Sequence, residues 1–531
     1  MRQHLKVLFA ASCFLLHTSL WSQETLISSG RTNAEPPPKR EFRAVWVATV
    51  TNIDYPKRGT PDRAAHKEQW KNLLDEYQKM GINAVFFQVR PAGDAFYPTD
   101  MAPWSKYLTG QQGLAPQPEY DPLEFLIEEA HNHSMEFHAW VNPYRATMDL
   151  DTFALSTSKH QFYRNRKWLV QYGRRFYFNP GLPEVRQHIV DVVAEIVEKY
   201  DVDGIHFDDY FYPYKERGFE FPDSTEYLLY GTGFESIDDW RRSNNDALVE
   251  SVHHKIKELK PYVKFGISPF GVWRNRDKDP SGSNTRASMG CYDDLYADIL
   301  KWVRKDWLDY VLPQIYWNIG FPPADYSELL GWWSAQVRDH HLYIGLAAYK
   351  VGENKELAWQ DPGEIPRQIS MNRRNPIIEG SAFFSSRSLL ANPLRLRDSL
   401  QQNYYASRAL IPVMEHLEQR KPQSPDFKRP RARRQKEDIR LRWKPSKADK
   451  ISPPAYYIIY RGEGGGGRIV DYNDPGQILT ITPFHQKGRR FQYFDADVQP
   501  GKTYTYTVTA LNRLHEESKP SITRRIAVKR R

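Results

Sequence analysis

The chain has 531 residues, 40% hydrophobic and 26% charged, a balance that excludes a disordered polymer and suits a folded protein of more than one domain. The formal net charge of +9 is concentrated partly in residues 428–434, where the basic run reads as a solvated linker, and nucleic acid is not an expected partner. Once an N-terminal leader is removed, Cys291 alone remains of the two cysteines, so no intramolecular disulfide is expected and the core must hold the fold.

In chain order, the first segment, residues 1–23, reads as a signal peptide. Arg2, His4 and Lys6 precede an apolar stretch over 7–16 that is too short to span a bilayer. Export to the periplasm or cell envelope is the expectation. Cys13 follows the small residues Ala10, Ala11 and Ser12 and is a candidate for lipidation, which would tether the protein to a membrane; Phe14 and Leu15 continue the apolar core and argue for full cleavage instead. Residues 24–40 are polar and end in Pro36, Pro37 and Pro38, a linker composition.

From Glu41 a short apolar run, a loop and an amphipathic helical stretch recur eight times. The runs cover 42–50, 84–89, 137–141, 204–207, 264–267, 310–315, 342–348 and 381–384. Helical stretches are expected at 63–80, 122–133, 184–200, 237–259 and 292–304; in the third, Val185, Ile189, Val192, Val193 and Ile196 share one face. Strands alternating with helices imply a parallel sheet, and eight units favour a closed (β/α)8 barrel over residues 41–425. Helix-to-strand connections are tight, whereas strand-to-helix connections such as 90–121, 142–183 and 208–236 are long. In a barrel the long loops emerge together at the C-terminal face, where sites are built. From about residue 435 to 531 the pattern changes to period two, as in Ile439–Trp443, 456–460, 492–494 and Thr503–Leu511, which reads as a small β-sandwich. It resembles a fibronectin type III domain, with Trp443 as its core tryptophan, and such a module is expected to be a spacer or binder.

The densest chemical constellation is Asp203-Gly204-Ile205-His206-Phe207-Asp208-Asp209-Tyr210 at the end of the fourth barrel strand. Carboxylates in that position, inside an aromatic loop, have the placement that glycoside hydrolysis needs: one to stabilise or attack the oxocarbenium-like centre, another to protonate the leaving oxygen. Asp208 is the candidate nucleophile or base, and Asp209 and Asp94 are the candidate acids; a helix cap or loop salt bridge is the ordinary alternative for Asp209. Other strand ends supply Arg90, Asn142, Tyr144, Trp273, Gln314, Tyr316, Trp317 and Tyr349. With His206 and Tyr210, these amides, phenols and indoles suit a hydroxyl-rich ligand. Glu379 precedes the eighth strand and belongs to the opposite face. His131 with His133, His253 with His254, and His340 with His341 do not face common sites, so neither a metal nor any other cofactor is expected. No Gly-x-Ser-x-Gly elbow is present, which argues against a serine esterase.

Five ordered segments carry a family resemblance: residues 40–49, 83–91, 178–181, the strand-four segment and 313–317, the last reading Pro-Gln-Ile-Tyr-Trp. Residues 41–400 resemble the glycosyl-hydrolase-like family distantly akin to family-ten glycosidases. The resemblance implies a barrel hydrolase of bacterial envelope glycans, with peptidoglycan glycan strands as the polysaccharide partner. Family-ten enzymes use glutamates on strands four and seven; here those strands end in aspartates and in Ala347-Ala348-Tyr349, so their mechanism does not transfer and retention or inversion stays open. The rival reading is a catalytically inactive envelope glycan-binding or scaffold protein using the same cleft.

Overall fold

Strict alternation of side chains along short apolar runs sorts the first domain into two packed layers. The computed structural model describes residues 36–529, except 157, 418, 434–437, 448, 450–452, 465–469 and 485–490. The leader, Cys13 and most of the 24–40 linker lie outside the described residues. The first strands are β1 (Phe42–Val47), β2 (Ala84–Arg90) and β3 (Glu136–Val141), followed by an antiparallel hairpin of β4 (Leu169–Tyr172) and β5 (Arg175–Phe178). Then come β6 (Gly204–Phe207), β7 (Lys264–Ile267), β8 (Tyr310–Val311), β9 (His341–Leu346) and β10 (Ile378–Phe383). Without the hairpin these form one closed barrel in the order β1-β10-β9-β8-β7-β6-β3-β2, each neighbour parallel.

Alternation decides what fills the barrel. Phe42, Ala44, Trp46, Phe86, Trp140, Tyr310 and Tyr343 point to the axis and form the interior cluster. Their neighbours Val45, Val47, Val85, Phe87, Ile205 and Phe265 belong to the larger core beneath the helices. The helices begin where capping chemistry says they should: the Asp62, Asp121 and Ser236 side chains accept from the first-turn N–H groups of Arg63–Lys79, Pro122–Asn132 and Ile237–Leu259. Two expectations need correction. The helix expected over 292–304 breaks into Cys291–Asp294 and Ile299–Arg304 because Tyr296 adopts a left-handed φ of 53° between them. The run at 310–315 gives a strand of two residues, since Pro313 has no N–H to continue the ladder.

The C-terminal region contains β11 (Asp426–Phe427), β12 (Arg431–Arg433), β13 (Asp438–Lys444), β14 (Tyr456–Glu463), β15 (Ile478–Pro483), β16 (Phe491–Asp495), β17 (Thr503–Leu511) and β18 (Arg524–Ala527). They make two antiparallel sheets, one of β11, β12, β13 and β16, the other in the order β15-β14-β17-β18. Trp443 is enclosed between them, its ring 5.5 Å from Tyr457 and stacked 6.0 Å from Phe491.

The second sheet is buried on both faces. Its outer side, with Tyr456, Ile458 and Tyr460, packs on Leu410 after the last barrel strand. Beyond β17, Arg513 donates to the Asp203 carboxylate at 2.6 Å, and Leu514 enters the interior cluster of the barrel itself. The sandwich therefore closes the barrel end where the strands begin. Glu379 bonds to His341 at that same end, on the face expected for it.

Candidate functional site

At the opposite end, the chain leaving β6 sets Asp208 and Asp209, both buried, among side chains carried by β2, β3 and the segments that follow β7 and β8. The hydrogen bonds fix the orientation of each amide in turn. The Thr49 and Val50 N–H groups donate to Gln88 Oε1 at 3.0 and 2.9 Å, so Gln88 Nε2 must be the end that donates to Asn142 Oδ1 at 2.6 Å. Asn142 Nδ2 then donates to Asp208 Oδ2, which also receives the Trp140 indole N–H at 3.1 Å. Asp208 Oδ1 accepts the Tyr210 N–H at 3.1 Å. Every neighbour that contacts Asp208 in this way is a donor.

Asp209 has different company. Gln314 Nε2 donates to the Ser268 carbonyl at 2.9 Å and to Asp209 Oδ1 at 3.2 Å. The Tyr214 hydroxyl bonds Oδ2 closely, and a hydroxyl can accept as readily as donate. Asp209 therefore has a partner that tolerates a proton on it, and Asp208 has none. Burial, then repulsion from Asp209, pushes Asp208 up to about 7. Burial raises Asp209 as well, against the bonds from Tyr214 and Gln314. Adjacent enclosed carboxyls cannot both ionise cheaply, so they titrate as a pair that keeps one proton toward neutral pH. Among the described residues neither forms an ion pair; the Arg145 guanidinium, 4.5 Å over the Tyr210 ring, is a positive charge that favours ionisation of both.

The remaining sequence candidates fall into three groups. Tyr210, Gln314, Tyr316 and Trp317 are partly exposed and Tyr349 is 40% exposed, so these can meet a ligand. Tyr316 stands edge-on to Tyr349 at 5.8 Å with Phe384 closing the group, and Trp317 meets Phe270 edge-on at 5.5 Å. Arg90, Tyr144 and Trp273 are buried supports: Arg90 reaches the Tyr97 hydroxyl at 3.5 Å, and Trp273 stacks on Trp332. His206 is fully enclosed, with Nε2 facing the Trp46 indole at 3.3 Å and Ser268 Oγ at 3.0 Å, and Nδ1 facing the Tyr310 hydroxyl at 3.1 Å. It supports the site from beneath. Asp94 is also enclosed, raised by burial against the influence of Ser105 and Arg90, and among the described residues it makes no hydrogen bond to Asp208 or Asp209.

Sequence reasoning placed Ser268 on this face at the end of the fifth strand but missed Tyr214 and Tyr310 as parts of the site. Tyr214 carried a usable signal, lying in the same aromatic loop five residues beyond Asp209. Tyr310 bears on the site through bonds across the barrel that no local pattern announces.

Comparison with known proteins bears on the family of the chain. Residues 41–361 match the family model described as Glycosyl hydrolase-like 10. The chain is 45% identical over 500 residues to the glycosyl hydrolase YngK of Bacillus subtilis, covering 94% of this chain and 96% of that one. It is 42% identical over 365 residues to the glycosyl hydrolase DigH of Escherichia coli K12, covering 65% of this chain and 82% of that one. A glycoside hydrolase domain of PgaB from Bordetella bronchiseptica is similar over 68% of this chain and 98% of that one, at 13% identity and a TM-score of 0.46. With a family model spanning most of the barrel and relatives this similar, the chain belongs to the Glycosyl hydrolase-like 10 family and is a glycoside hydrolase.

Proposed function

We propose that this protein is exported and hydrolyses a β-linked glycan of the bacterial envelope, the glycan strands of peptidoglycan, with Asp209 as general acid and Asp208 as the negatively charged partner. The carrying observation is the unequal hydrogen bonding of the pair: three donors, none able to accept, converge on Asp208, while one partner of Asp209 is a hydroxyl that can bond either form of the acid and favours the ionised one. In this reading Asp209 gives its proton to the glycosidic oxygen as the bond to the anomeric carbon breaks. Asp208 either takes a proton from the attacking water or bonds to the anomeric carbon itself. The partly exposed rings of Tyr316 and Trp317 and the exposed ring of Tyr349 offer flat apolar surfaces for sugar C–H faces, and Gln314 holds the acid from the same segment as Tyr316 and Trp317. The names of the relatives support the reaction class, and the apolar leader supports the envelope as its place.

The test is incubation of the purified protein with peptidoglycan freed of its peptides and, separately, with chitin, reading products by mass. New reducing ends from the peptide-free strands, abolished in Asp208→Asn and Asp209→Asn, are expected. Saturable binding of the strands with no new reducing ends would instead establish an inactive glycan binder.

A further inference from the structure

The barrel axis holds a series of polar contacts that runs from the C-terminal module to the Ser268 hydroxyl, and the backbone carbonyl of that same serine holds Gln314 against the acid. It starts at His515, whose Nε2 lies 3.2 Å from Glu136 Oε1; this carboxylate is also paired with Lys264. Glu136 Oε2 is 3.0 Å from His138 Nε2, and His138 Nδ1 is 3.1 Å from the Tyr310 hydroxyl. That hydroxyl is 3.1 Å from His206 Nδ1, and His206 Nε2 is 3.0 Å from Ser268 Oγ. The Ser268 carbonyl accepts from Gln314 Nε2, which also donates to Asp209.

The donors and acceptors fit in a single direction. The Trp46 indole N–H can only donate, so His206 Nε2 is an acceptor and Nδ1 carries the hydrogen. His206 then donates to the Tyr310 oxygen, Tyr310 donates to His138 Nδ1, and His138 Nε2–H donates to Glu136. From His515 to Ser268 each group is buried, so a broken link leaves an enclosed donor or acceptor with fewer partners. The last link places one N–H on a fixed carbonyl and the other on the carboxyl of Asp209, which makes the Gln314 amide a rigid locator for that carboxyl.

We propose that the C-terminal module is part of the catalytic unit: His515 anchors the axial chain, and His138, Tyr310, His206 and Ser268 are positioning residues that set the place of the Asp209 carboxyl through Gln314. This rests on the reading of Asp209 as the acid. Leu514, seated in the interior cluster beside His515, holds the module in the register the chain requires. On this proposal the module is built into the active barrel rather than a spacer or binder.

Tyr310→Phe in the full chain removes one hydroxyl from the middle of the chain and keeps the ring. The expected result is a fall in kcat of roughly tenfold with KM within about twofold, since small misplacements of an acid slow the reaction more than they weaken binding. The alkaline limb of the pH–rate profile should move to higher pH, because loosening Gln314 removes a bond that favours ionised Asp209. His515→Leu, which keeps apolar contact, should move kcat and the limb in the same directions by a smaller amount. A crystal structure of Tyr310→Phe should show the Ser268 hydroxyl and the Gln314 amide displaced. A lower Tm with kcat, the pH profile and the Gln314 position unchanged overturns the proposal. If the parent protein cuts no glycan, the functional reading fails by itself; the crystal structure still decides the positioning claim, and superposed Ser268, Gln314 and Asp209 would overturn it. Should Tyr310→Phe not fold, the same measurements on His515→Leu and Ser268→Ala decide.

Discussion

The two ends of the barrel both bury carboxylates, and they treat them in opposite ways. Where the strands begin, Asp203 is held well below the ordinary range; burial would raise it, but Arg513 and His131 outweigh that. Asp309 is likewise lowered despite burial by His416 and Lys257, and Glu136 by Lys264 and its histidines. Where the strands end, Asp208 and Asp209 are raised, with no ion pair among the described residues and only mutual repulsion and burial to answer. Buried acids with cations attached are fastening; buried acids left against each other are a proton store. The comparison teaches that burial alone does not set the sign of the shift: attached cations lower the enclosed acids at one end, and an enclosed like charge helps raise Asp208 at the other.

The largest expected effect breaks the upper end alone. Asp208→Asn should cut turnover by about 10³-fold or more while the protein folds normally, because the charge opposite the acid is gone. Its thermal stability should also respond to pH with a definite sign. Asp208 is raised in the fold, so its ionisation costs stability as pH rises from about 4 toward 7. The Tm of the variant relative to the parent should therefore climb over that window, and a constant difference in scanning calorimetry would contradict the assignment.

Breaking the lower end should do the reverse. Arg513→Met leaves the enclosed Asp203 without its guanidinium and should cost about 3 kcal/mol of stability, with kcat falling less than tenfold. Asp203 is lowered in the fold, so its contribution is present above its unfolded value and is lost as pH falls through the folded one. The parent should lose stability on acidification more steeply than Arg513→Met, measured by denaturant melts at descending pH.

A smaller change sharpens the upper end. Tyr214→Phe removes a bond that favours ionised Asp209, so the alkaline limb of the pH–rate profile should move to higher pH. An unmoved limb would separate Asp209 from the rate-determining proton. The smallest effect is expected on the floor: Tyr349→Ala should raise KM by roughly three- to tenfold, on the order of 1 kcal/mol for one ring, with kcat little changed.

Much of this was legible in the amino-acid order. The eight apolar runs matched the eight barrel strands because burial on both faces leaves an unbroken β-branched and aromatic signature. Asp208 and Asp209 could be found because strand alternation and a long aromatic loop are both local. The hairpin of β4 and β5 was not, since short strands inside a long loop resemble loop. Arg513 against Asp203, and the chain from His515 to Gln314, join residues hundreds of positions apart and leave no periodic trace. Asp94 has the strand position of a partner for Asp208 and is raised by burial as that residue is, with Ser105 and Arg90 as its own neighbours. Strand ends give the face a residue serves; the loop's path gives whether it reaches the cleft.

The division of labour within the carboxyl pair is tested most directly with aryl glycosides of short peptidoglycan-type oligosaccharides whose phenol leaving groups range from poor to very good. Asp209→Asn should lose turnover of the poor leaving groups and keep most of it for the very good ones, which need no proton, while Asp208→Asn loses both. Equal loss across the series in Asp209→Asn would contradict its role as the proton donor.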